Sequence, residues 1–100
     1  MGASSTPTLK NGVQALFPST HQKVAYTGTA GTISNTVKSS IIRVITTSAA
    51  YIAISDAPTA TTSDVYMAAG AGEYFRCTPG NKVSAIQDSA NGTLHVTEMD

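Results

Sequence analysis

Ile41-Ile42-Arg43-Val44-Ile45-Thr46-Thr47 is β-branched at six of its seven positions, and this run decides the fold class. Side chains branched at Cβ lose rotamer freedom in a helix and pack well on a pleated surface, so the run reads as a strand. Alternation sends Ile42 and Val44 to one face and Ile41, Arg43 and Ile45 to the other. Large apolar groups on both faces predict a strand covered on both sides.

Working outward, Tyr51-Ile52-Ala53-Ile54-Ser55 alternates cleanly, with Ile52 and Ile54 inward. Asp56-Ala57-Pro58-Thr59 reads as a turn and residues 60–64 as a polar loop. In Glu73-Tyr74-Phe75-Arg76-Cys77-Thr78, Phe75 and Cys77 face one way and Tyr74 and Arg76 the other. Pro79-Gly80 supplies the two central residues of a type II turn: proline fixes the first φ and glycine tolerates the positive second one. Lys82 to Gln87 reads as a strand burying Val83 with Ala85 or Ile86. Asn91-Gly92 has the chemistry of a type I′ hairpin loop, and Thr93 to Thr97 closes the chain with Leu94 and Val96 inward. The last third is therefore expected to be a meander.

Upstream, His21 to Thr27 carries Val24 and Tyr26 at period two, Gly28 to Thr32 reads as a loop, and Ile33 to Val37 as a short strand. Seven or eight short strands roughly ten residues apart predict an all-β chain, a small antiparallel β-sandwich or jelly-roll-like domain over residues 21–100. Its expected core includes Ile42, Val44, Ile52, Ile54, Phe75, Val83, Leu94 and Val96. No linker divides that stretch.

Residues 1–20 read as an N-terminal arm. Gly2 to Thr8 is small and polar, with Pro7 against helix propagation. Leu9, Val13, Leu16 and Phe17 recur at near-helical spacing, and Pro18 is expected to end that segment. Four large apolar groups in a segment too short to own a core must pack on this domain, where Ile41 and Ile45 offer a surface, or on a neighbouring subunit.

Composition agrees with strands and tight turns: fifteen Thr, eleven Ser and fourteen Ala make 40 of the 100 residues. Six basic against six acidic residues give zero formal net charge, which argues against a nucleic-acid partner gripped by a basic face. Charge near zero is weak defence against self-association, which suits a chain that works inside an assembly. The longest apolar run falls well short of the ~20 residues of a membrane helix, so no membrane partner is expected. The start, Met1-Gly2-Ala3-Ser4-Ser5-Thr6-Pro7, has no basic region leading into an apolar one, as a secretory signal would.

Catalytic equipment is not visible. No G-x-S-x-G elbow marks a nucleophile, and Gly70-Ala71-Gly72 lacks the third glycine and strand-to-helix context of a dinucleotide loop. His21 and His95 lie 74 positions apart and read as two separate surface histidines, with His95 on the solvent face beside Thr93 and Thr97. A metal centre would want more ligands converging, so neither a metal nor another cofactor is expected. The lone Cys77 excludes an internal disulfide and reads as a small buried hydrophobe. Tyr51, Tyr66, Tyr74 and Arg76 are the interaction-type side chains, because aromatics and arginine are enriched at protein contacts. With Leu9, Val13, Leu16 and Phe17 they make up the candidate contact residues. These features leave a structural assembly component or a carbohydrate-binding module, although no tryptophan is present to serve as a sugar platform.

The order of segments adds a resemblance. Ile42-Arg43-Val44, Tyr51-Ile52-Ala53-Ile54 with Asp56-Ala57-Pro58-Thr59-Ala60, Glu73-Tyr74-Phe75-Arg76, Pro79-Gly80-Asn81-Lys82-Val83 and Gly92-Thr93-Leu94-His95-Val96-Thr97-Glu98 follow one another in residues 41–98. That series resembles small virion structural proteins of tailed bacteriophages, of the kind that decorate or cement the capsid. The resemblance implies a non-enzymatic β-sandwich or jelly roll seated on the major capsid protein. It implies a homo-oligomer, a dimer or trimer, within the assembly. The place it implies is the capsid surface of a virion, after synthesis in the host cytoplasm. A neck, tail or fibre-base component is the alternative within virions, and a carbohydrate-binding β-sandwich the alternative outside them.

Overall fold

A computed structural model describes residues 17–99, which form eight strands and, among the described residues, no helix. The strands are β1 (Pro18–Tyr26), β2 (Gly31–Thr32), β3 (Ile41–Thr46), β4 (Ala50–Ser55), β5 (Val65–Met67), β6 (Glu73–Arg76), β7 (Lys82–Gln87) and β8 (Gly92–Met99). They make two four-stranded sheets, a first of order β1-β8-β3-β6 and a second of order β2-β7-β4-β5. Every pairing is antiparallel. The chain is an all-β sandwich, as the strand spacing predicts.

The pairings explain the topology. β1 pairs with β8, β2 with β7, β3 with β6 and β4 with β5, the ladder of one long hairpin folded at the β4–β5 connection. Rolling that hairpin up adds β3–β8 and β4–β7 and yields the strand order of a jelly roll. Only β4 and β5 are consecutive strands adjacent in one sheet; every other connection crosses between sheets. The last third is therefore not a meander. Asn91-Gly92 is not a type I′ turn either, since neither residue has a positive φ and Gly92 already pairs with Tyr26 inside β8.

Other local readings hold. At Pro79-Gly80, Gly80 has φ +102° and the Asn81 N–H donates to the Thr78 carbonyl at 3.0 Å, as a type II turn requires. Ile42, Val44, Ile52, Val83, Leu94 and Val96 are buried, while Ile54 and Phe75 pack against the core half-buried. Tyr26, Ile33, Val37 and Met67 join them. Ile33 and Val37 do so from outside a strand. The strand there is Gly31–Thr32, one step earlier than the expected Ile33 to Val37, and the following loop stays tied to β7 through Ile33 N–H to Val83 O, 3.0 Å. The short β5 falls where only a loop and its sequel are expected.

β1 begins at Pro18, so residues 18–20 of the segment read as an arm belong to the first sheet. Proline is tolerated because it opens an edge strand, where its missing N–H breaks no ladder. The expectation of β3 covered on both faces needs correction. Ile42 and Val44 are wholly buried, but Ile41, Arg43 and Ile45 remain half-buried on the outer surface of the first sheet.

Candidate functional site

Two surfaces carry the side chains suited to contact. The first is the outer face of the β1-β8-β3-β6 sheet. Cross-strand register sets His21 opposite Thr97, Lys23 opposite His95, His95 opposite Ile45, and Arg43 opposite both Thr97 and Tyr74. Arg76 stands opposite Ile41 at the edge. By alternation Glu73 and Glu98 take the other side of their strands, so among the described residues this face carries Lys23, Arg43, Arg76, His21 and His95 and no carboxylate.

At its centre lies a shallow depression lined by His21, Arg43, Ile45, Thr47, His95 and Thr97. The two histidines meet there. His21 Nε2 and His95 Nδ1 are 3.1 Å apart, with ring centroids 5.1 Å apart and planes tilted by 38°. His95 is half-buried rather than free in solvent. Burial first, then the positive fields of His21 and Lys23, lower its pKa below the ordinary 6.5. The sequence reading kept these residues apart because their proximity depends on β1 lying beside β8, a pairing of chain ends that no local pattern announces.

The second surface is on the β2-β7-β4-β5 sheet. Tyr51 and Tyr66 face each other across β4 and β5, edge to face at 5.6 Å between ring centroids. The Tyr51 hydroxyl donates to Asp88 Oδ1 at 3.1 Å, and that hydrogen bond and the Asp88 charge raise the Tyr51 pKa. Next to this pair, at the open edge between β5 and β6, Ile54, Pro58, Val65 and Phe75 line a second cleft.

The candidate contact residues thus divide. Tyr51 and Tyr66 come together on one sheet, and Tyr74 and Arg76 share the outer face of the other. Tyr66 is 53% exposed and Tyr74 56%. Phe17, just before β1, is 68% exposed. Leu9, Val13 and Leu16 lie outside the described residues. Val65, 55% exposed, joins the set; β-branched and isolated among Asp64 and Tyr66, it gave no sequence signal of exposure.

Cys77 is buried as expected, with its Sγ 3.2 Å from the Ser39 carbonyl. Burial, then the Glu98 charge, pushes the thiol pKa up, away from the thiolate that reactivity requires. Among the described residues no three His, Cys, Asp or Glu side chains cluster as a metal cage. No described helix is long and apolar enough to cross a membrane. Comparison with protein-family models, with curated proteins and with solved structures finds no match.

Proposed function

We propose that this chain is a non-enzymatic structural component of a bacteriophage virion, a decoration or cement protein that binds the major capsid protein. The observation that carries the reading is the set of large apolar side chains left more than half exposed: Phe17, Val65, Tyr66 and Tyr74. They spread over both sheets of a small domain, which suits a module covered by protein neighbours on more than one side. A jelly-roll strand order is shared by viral capsid and lectin domains, an analogy of fold that fits the resemblance in residues 41–98. A cement protein performs no chemistry. It adds burial across the seams between capsid subunits and so opposes the outward pressure of packed genome.

The decisive experiment is co-sedimentation of the purified chain with emptied phage heads, with isolated tails, and with a polysaccharide panel. Saturable binding to heads, weakened by Tyr74→Ala and Tyr66→Ala, is the expected result. Binding to tails alone would make it a neck or tail component. Binding to polysaccharide alone would make it a carbohydrate-binding module.

A further inference from the structure

We propose that His21 and His95 form a two-histidine surface site for one borderline divalent transition ion, of the Zn²⁺ or Ni²⁺ class. The site rests on geometry and is independent of the virion reading. Imidazole nitrogens bind such ions at about 2.0–2.1 Å, so two of them on one ion, at tetrahedral or octahedral angles, stand about 2.9–3.4 Å apart. The nitrogens here, His21 Nε2 and His95 Nδ1, are 3.1 Å apart. The two rings come from different strands, β1 and β8, and bring one nitrogen each to this spacing, with no third His, Cys, Asp or Glu ligand among the described residues. In the ion-free protein one N–H bridges them; the ion takes the place of that hydrogen when His21 carries its own on Nδ1 and His95 on Nε2. Nitrogen donors select these ions over Ca²⁺ and Mg²⁺, which prefer oxygen.

The surroundings set the strength. Lys23 from β1 and Arg43 from β3 are the charged groups beside the pair, and both oppose a cation. The depression is open, so water or a donor from a docked neighbour completes the coordination. The site is therefore a weak one, which binding of hydrogen ions disrupts as pH falls.

The test uses the full chain, titrated calorimetrically with NiCl₂ at slightly alkaline pH, and the wild type is expected to bind one ion. His21→Ala and His95→Ala should each weaken binding on the order of tenfold or more, the scale on which even outer-shell changes act. Lys23→Gln should tighten it, an effect that a purely structural role for the pair would not produce. Paramagnetic broadening by Ni²⁺ should centre on the amides of residues 21–23 and 95–97. Failure of the wild type to bind, binding that survives both histidine substitutions, or broadening centred elsewhere would each overturn the proposal.

Discussion

The phenol of Tyr26 fills the space that a β-carbon on Gly92 would need: a carbon built there lies 2.7 Å from the ring Cζ and 2.9 Å from Thr47 Oγ1. The ring cannot retreat cheaply. Tyr26 is buried, and its hydroxyl donates to the Ser48 carbonyl at 2.6 Å while accepting the Ser48 N–H at 3.2 Å. Gly92 is glycine because the end of β1 packs its aromatic ring across the start of β8.

Gly92→Ala should therefore destabilise the fold by about 1–3 kcal/mol, the usual cost of overpacking. Gly80→Ala should cost a similar amount, about 1–3 kcal/mol, for a different reason, the strain of a side chain at positive φ. Gly80 has open space around it and φ +102°. A double-mutant cycle with Tyr26→Phe separates the two. Coupling is expected for Gly92→Ala and additivity for Gly80→Ala; additivity at both positions would show that the Tyr26 contact does not govern Gly92.

Glu98 is a buried carboxylate that organises the approach to β3. Its Oε1 accepts the backbone N–H of Lys38 at 2.7 Å and of Ser39 at 3.1 Å. Removing the acceptor breaks both hydrogen bonds, so Glu98→Ala should cost about 2 kcal/mol. Glu98→Gln keeps an acceptor oxygen and should lose less. Urea unfolding measures both; equal losses for the two variants would mean that the oxygen's hydrogen bonds are not what matters.

Strand positions were legible because alternation is a local signal: Ile42 and Val44, or Leu94 and Val96, announce their inward face within a few residues. Partnership was not legible in the same way. The last third looks like a meander because Pro79-Gly80 and Asn91-Gly92 both look like hairpin turns. Only the first has the positive-φ glycine its turn type requires, Gly92 already belongs to β8, and the connections on either side of β7 both change sheets. The glycine of Asn91-Gly92 answers to Tyr26, some 66 positions away, and nothing near it in sequence carries that information. The histidine pair was hidden for the same reason. His21 and His95 become neighbours only when the first and last strands of the rolled hairpin close on each other. Residue type marked Tyr66 and Tyr74 as contact candidates but could not decide their exposure, since Tyr26, of the same type, is buried; the division of the contact residues between two opposed sheets was not legible either.

Thr46 faces the core from β3 with no exposed surface, and its Oγ1 lacks a hydrogen-bond partner among the described residues. A buried hydroxyl without a partner loses its hydration and gains nothing in return. Thr46→Val keeps the branched shape and removes the polar atom. It should stabilise the fold by about 1 kcal/mol, read as a higher urea midpoint at constant m. A loss of stability would reveal a partner for that hydroxyl.

The His95 shift sets a direction for the pH dependence. In the unfolded chain His95 titrates near its ordinary 6.5; in the folded chain burial and the neighbouring charges of His21 and Lys23 lower that value. Between the two values the unfolded chain binds more protons than the folded one, so stability rises with pH through that window. The contribution is fully present above about pH 6.5 and is lost as pH falls through the lower folded value. Melting temperature in chelator-containing buffer should accordingly fall between neutral pH and about pH 5, the range in which histidine charges. His95→Gln should flatten that part of the curve, while Lys23→Gln should shift the fall to higher stability at acid pH. A His95→Gln profile as steep as the wild type would assign the acid sensitivity to another group.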